Sequence, residues 1–223
     1  MHPHNATQYT DEVHENIVKI VSNPRCVAWG ECGLDYFKNP AETHAIQREV
    51  FARQLVAAVF LKKPIVVHTR DAADDTLALL REHVPRDHSL HIHCFTSTSE
   101  LARSVLNEFP NSFIGLTGVV TYSGIEHVVE LIVSGDLPLE RILLETDSPF
   151  MIPRNAYEWL KGRPGGRGKK FLVSHAGMIP FVAEKVARWA NSGRVRRGEK
   201  EVNVEEVLEI TRENAVRMYG IDI

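Results

Sequence analysis

The sequence is poor in the features that would staple a chain covalently or fix it in a membrane. It holds three cysteines, Cys26, Cys32 and Cys94, with no CxxC pair among them. So odd and sparse a count argues against a disulfide framework and fits a reducing compartment, with the thiols as small buried packing residues. No apolar run approaches the ~20 residues of a membrane-spanning helix. The opening Met1-His2-Pro3-His4 has neither a basic n-region nor an apolar h-region, so no secretory signal is read there. Internal repeats and low-complexity linkers are also missing, which favours one domain over residues 1–223. A net charge of −3 gives no global field that would mark a nucleic-acid binder, although a local grip on a phosphate backbone is compatible with an acidic chain. The expectation is a soluble cytosolic or nuclear protein with no membrane partner.

What is present is an alternation. Apolar positions Val13, Ile17, Ile20 and Val21 mark one face of a helix over 11–21, closed by Pro24. The run Cys26-Val-Ala-Trp-Gly-Glu31 reads as a short strand. A helix is expected from about Ala41 to Lys63, then a strand Ile65-Val-Val-His68, a helix 71–83, and a strand Leu90-His-Ile-His93. A helix from Ser99 to about Phe109, a strand 112–117, a helix 125–133 and a strand Ile142–Asp147 follow. Residues 161–170 read as a Gly-rich basic loop. Helices over 178–191 and 204–219 close the chain, the last opened by an Asn203/Glu206 capping box and stopped by Gly220. Five continuous apolar strands between helices imply a parallel α/β sheet with helices on its outer face.

Four of those strands are expected to end on a side chain that can bind a metal: Glu31, His68, His93 and Asp147. In a parallel barrel all strands point one way, so their ends gather on the face where such folds carry active sites. A lone strand-end histidine is ordinarily a hydrogen-bonded structural residue, and a lone aspartate there is ordinarily a helix cap. Four in register are hard to explain that way. Two imidazoles and two carboxylates suit Mg²⁺, Mn²⁺ or Zn²⁺.

The residues around these positions sharpen the reading. Gly30-Glu31-Cys32-Gly33-Leu34-Asp35-Tyr36, His68-Thr-Arg70-Asp-Ala, His93-Cys94-Phe95-Thr96 and Glu145-Thr-Asp147-Ser-Pro149, with Pro153-Arg154 after it, resemble the ordered motifs of the TatD family of metal-dependent deoxyribonucleases. Met1-His2-Pro3-His4-Asn5-Ala6 is similar to the stretch that ends that family's third strand. The resemblance implies a (β/α)8 TIM-barrel-type fold and hydrolysis of DNA phosphodiesters, chiefly 3′→5′, with one or two divalent ions per chain. It makes Glu31, His68, His93 and Asp147 metal ligands, with Asp147 and Glu31 in catalytic roles. His2, Arg70, Arg154, Arg167 and Lys169 become substrate contacts.

Two departures from the family pattern stand out. Lys169-Lys-Phe-Leu-Val-Ser-His175 replaces the usual Asn-Glu-Pro segment, and no His-x-His pair opens the chain on a first strand. On this alignment the first three of eight strands are absent, in keeping with a chain shorter than the ~250 residues of a typical barrel. An incomplete barrel exposes apolar strand edges, which self-association would cover. Loss of the His-x-His pair leaves one ion well held, with slowed turnover. Two other functions fit the same residues: hydrolysis of a mischarged D-aminoacyl-tRNA, and nucleic-acid binding without catalysis.

Overall fold

The computed structural model describes residues 1–38 and 40–221, which divide into two compact units. The first comprises 1–93, 100–114 and the stretch from Ala215 onward; the second comprises 94–99 and 115–214. In chain order the elements are α1 (Asp11–Val21), β1 (Trp29–Asp35), α2 (His44–Phe60), β2 (Ile65–Arg70), α3 (Ala73–His83), β3 (Leu90–Ile92), α4 (Ser99–Glu108) and β4 (Ser112–Leu116). There follow α5 (Glu126–Ser134), β5 (Ile142–Leu144), α6 (Arg154–Lys161), α7 (Ile179–Arg196) and α8 (Val204–Tyr219). The strands form one sheet in sequence order, with β1 through β4 paired in parallel.

In the first unit, α2 explains how β1 is held. Its buried residues Gln47, Phe51, Gln54, Leu55 and Ala58 fall on one helix face, and the apolar ones pack on the sheet. The two glutamines are buried because each has hydrogen-bond partners there. Gln47 accepts from the Asp35 N–H (2.8 Å) and donates to the Asp35 carbonyl (3.1 Å), as a neighbouring strand would. Gln54 accepts from the Trp29 indole N–H at 3.2 Å. Both ends of β1 are therefore clamped by α2, and Glu31 lies between the clamps.

In the second unit, the end of β4 meets the chain just after β5, where the Glu145 N–H donates to the Leu116 carbonyl (2.9 Å). Buried Asn214 donates to the carbonyls of Leu139 and Ile142, both at 2.8 Å, fastening α8 beneath β5. The capping box expected at the start of α8 is present: Asn203 and Glu206 exchange side chain-to-backbone hydrogen bonds of 2.8 Å.

The structure corrects two sequence expectations. None of the four expected side chains ends its strand: β1 runs on past Glu31 to Asp35 and β2 past His68 to Arg70, while His93 and Asp147 lie one and three residues beyond the ends of β3 and β5. Gly33, which breaks the apolar run on paper, lets β1 press directly on β2, so the strand continues through it. The start of the basic loop is also helical, because Lys161 closes α6, whose exposed aromatic and charged residues hid its periodicity. No helix among the described residues is long and apolar enough to cross a membrane.

Candidate metal centre

Glu31 stands where the register between β1 and β2 slips, between the pairs Trp29–Ile65 and Cys32–Val67. Such a bulge re-aims a side chain out of the regular ladder. Glu31 Oε2 consequently lies 3.4 Å from His68 Nδ1 and 3.5 Å from His93 Nε2, while Oε1 lies 3.9 Å from His2 Nε2. All four side chains are largely shielded, with 15–35% of each exposed. His2 caps a short 3₁₀ helix, Pro3–Gln8, whose first turn also brings in His4.

Asp35, almost fully buried, organises the back of this cluster. Its Oδ2 sits 2.9 Å from His4 Nε2 and 3.2 Å from His68 Nε2, and its Oδ1 accepts the backbone N–H groups of Phe37 and Lys38. Burial pushes the Asp35 carboxyl up, but the Lys38 N–H, His4 and His68 outweigh it and hold the group below its ordinary range. An ionised carboxylate only accepts, so the His68 proton belongs on Nε2. That leaves the Nδ1 lone pair of His68 aimed at Glu31.

Glu31 is also held ionised. Burial favours its neutral form, yet the His68 contact and the fields of His93, His68 and His2 together lower its pKa. Its Oε2 is buried without a hydrogen-bond partner. An anionic oxygen thus faces a lone pair across 3.4 Å, an arrangement that costs several kcal/mol unless a cation sits between them. The Glu31 separations of 3.4 and 3.5 Å are those that bonds of roughly 2.1 Å to a shared ion produce, and His2, Glu31 and His68 bring three ligand atoms within 4.8 Å of one another. The carboxylate–histidine pairing of Asp35 with His68 is the usual support behind a metal-bound imidazole. The residues therefore fit a divalent metal ion.

His2 behaves differently. Its Nδ1 accepts from the His4 backbone N–H at 3.1 Å, so the proton of its neutral ring is on Nε2. Burial, followed by the neighbouring His68, lowers its pKa to about 4, so at neutral pH it presents an uncharged N–H donor.

Among the other expected site residues, Arg70 ends β2 with its guanidinium 3.9 Å above the Phe37 ring. Asp147, Arg154, Arg167 and Lys169 belong to the second unit. There Asp147 follows β5 with a left-handed φ of 48°, and its carbonyl accepts the Phe150 N–H at 2.8 Å. Arg154 opens α6 with its guanidinium 5.2 Å from the Tyr122 ring centre; Arg167 and Lys169 are exposed on the loop beyond. Sequence reasoning gave no site role to Asp35 or His4. The signal was available for Asp35, which alternates with Gly33 and Glu31 along one strand.

The motif of the family described as TatD related DNase matches residues 1–220 of this chain. The chain belongs to the TatD family. It is 35% identical to a metal-dependent hydrolase of Escherichia coli K12, YcfH, over 222 residues, covering all of this chain and 72% of that protein. It is 34% identical to a 3'-5' ssDNA/RNA exonuclease, TatD, of Klebsiella pneumoniae, covering 76% of it. The human 3'-5' RNA nuclease TATDN2 is also 34% identical, and there the chain spans only 26% of a much longer protein. The TatD homologue YJJV of Escherichia coli has the same fold, with a TM-score of 0.76 at 22% identity over 75% of that chain. The fold is thus the TIM-barrel-like α/β fold of TatD proteins, represented here by five parallel strands, and the family is one of metal-dependent hydrolases and nucleases.

Asp35 stands in the Gly33-Leu34-Asp35-Tyr36 stretch of β1, and the geometry gives that residue a measurable part. Asp35→Asn is expected to weaken divalent-metal affinity ~10–100-fold by isothermal titration, as losses of such supporting partners do. The pH dependence follows from the lowered pKa. Asp35 contributes stability that is complete above its unfolded value of 3.8 and is lost as pH falls through the folded one. Acid unfolding of Asp35→Asn is therefore expected to be shallower than that of the parent; identical acid limbs would count against the assignment.

Proposed function

We propose that this protein is a metal-dependent hydrolase of nucleic-acid phosphodiesters that removes nucleotides from single-stranded DNA in the 3′→5′ direction. The observation that carries the reading is Glu31 Oε2, ionised, buried and without a hydrogen-bond partner, facing nitrogens of His68 and His93 at 3.4 and 3.5 Å. Glu31, His68 and His93 would hold one divalent ion. When bound, such an ion polarises a phosphoryl oxygen and lowers the pKa of attacking water.

The chain's own groups supply the rest. Asp35 fixes the His68 ring and keeps its Nδ1 unprotonated. His2, neutral with its proton on Nε2, donates to a phosphoryl oxygen without adding a charge that would repel the ion. Arg70, held flat on Phe37, offers a guanidinium for an adjacent phosphate. The family motif Glu145-Thr146-Asp147 supports Asp147 as a ligand and proton acceptor. Arg154, Arg167 and Lys169 supply backbone contacts that carry no sequence information.

The test is the product ladder from a 5′-labelled single strand. Shortening from the 3′ end with Mg²⁺ or Mn²⁺, abolished by chelation and restored by adding metal back, is the expected result. Internal cuts, or a pattern indifferent to chelator, would remove the proposal. An RNA strand and a D-aminoacyl-tRNA run alongside separate the reading from its competitors.

A further inference from the structure

Outside the candidate metal centre, the second unit carries an aromatic cleft to which the proposed reaction assigns no part beyond the Arg154 backbone contact. Tyr122, Phe150, Met151, Arg154 and Tyr157 line an open cleft of about 340 Å³, near the lower end of the ~300–1,000 Å³ range of small-ligand sites. Phe150 leaves 66% of its surface exposed there, available to a ligand.

The walls are fixed before any ligand arrives. Tyr122 Oη donates to the Ile152 carbonyl at 2.9 Å, and the Arg154 backbone N–H donates to Thr121 Oγ1 at 2.8 Å. The Arg154 guanidinium leans over the Tyr122 ring at 5.2 Å. Tyr157 packs edge-on against Phe171, at 5.7 Å between ring centres, and so joins the cleft to the end of the basic loop. The charge of this segment is opposite to that of the whole chain. From Pro149 to Lys170 there are six cations against the single acid Glu158, in a protein of net charge −3.

We infer that this cleft is a sugar-blind stacking site for a base of single-stranded nucleic acid, with Phe150 as the platform and the basic segment as the track for its phosphates. A flat, polarisable ligand matches the aromatic walls, and a polyanion matches the cations beside them. Phe150 follows Asp147 by three residues and donates its N–H to that residue's carbonyl, so the platform is tied to the segment proposed to serve the reaction. Aromatic stacking accepts every base, and no 2′-hydroxyl reader is required, so the site takes DNA and RNA alike. The inference rests on the hydrolase reading for its purpose, but not for its test.

The experiment is fluorescence anisotropy of the full chain with labelled oligothymidylate and oligouridylate in EDTA, where nothing is cleaved. The parent is expected to bind both with affinities within severalfold of each other and to weaken as salt rises. Phe150→Ala is expected to lose about tenfold on both strands, and Phe150→Trp to restore it. Because Phe150 is exposed, the melting temperature is expected to stay at the parent value, which excludes a folding artefact. Unchanged affinity in Phe150→Ala, no binding by the parent, or rescue failing with Trp would overturn the inference. The two readings fail separately. Binding that depends on Phe150 without metal-dependent cleavage removes the hydrolase alone; cleavage with no effect of Phe150→Ala on affinity removes the cleft alone.

Discussion

Glu31→Gln is expected to lower phosphodiester cleavage by on the order of 10³-fold or more, since the lost interaction supports several kcal/mol of transition-state stabilisation. The substitution keeps the size of the side chain and removes only its charge. In the parent, Oε2 is an unpartnered anion opposite the His68 lone pair. In the variant, an amide N–H donates to that nitrogen, and the cluster is satisfied without a cation. Stability should therefore part from activity. In EDTA the variant is expected to melt close to the parent, because an amide N–H donating to His68 replaces the charged contact. Adding metal should raise the melting temperature of the parent and leave that of Glu31→Gln nearly unmoved. A variant that keeps a tenth of parental turnover, or that gains stability from metal equally well, would sink the assignment of Glu31.

The second large effect comes from a residue with no side chain. Gly33 has φ of 150°, and a Cβ built there lies 1.9 Å from the His68 carbonyl oxygen. The clash is with backbone, so no rotamer change relieves it; β1 and β2 must part. Parting them breaks the parallel ladder where Gly33 pairs with His68 and draws His68 away from both Glu31 and Asp35. Gly33→Ala is expected to cost about 3 kcal/mol or more, at the upper end of overpacking penalties. For a chain of this size that is a fall of roughly 6–12 °C in melting temperature. Gly124→Ala is the comparison: it has φ of 87° but nothing within 4 Å, so only backbone strain of ~1 kcal/mol applies. Equal melting temperatures for the two variants would show that the strands do not approach as closely as described.

Much of this was legible from residue order alone, for identifiable reasons. The parallel α/β alternation is written in short apolar runs between helical periods, and each of the five strands lies where those runs stand. Glu31, His68 and His93 could be picked out because each interrupts or closes such a run with a side chain that binds metal. Strand ends were less legible. An apolar-run criterion stops β1 at Glu31, although the strand continues fully buried through Gly33 to Asp35. Asp35 stands in a motif without a legible role, because that role depends on two histidines, His4 and His68, that are 31 and 33 residues away in sequence. The paired clamps of Gln47 and Gln54 were illegible for the same reason: a glutamine on a helix reads as solvent-facing until the strand it completes is known. Helix α6 was hidden by its own surface, and its last residue, Lys161, reads as the start of the basic loop.

The most direct test of the metal centre is anomalous diffraction from crystals of this chain grown or soaked with Mn²⁺ or Zn²⁺. One peak is expected within bonding distance of Glu31 Oε2, His68 Nδ1 and His93 Nε2, with the His68 Nε2 to Asp35 contact retained. A structure in which metal is supplied but Glu31 instead pairs with a protonated His68, and the density among these atoms stays empty, would contradict the account.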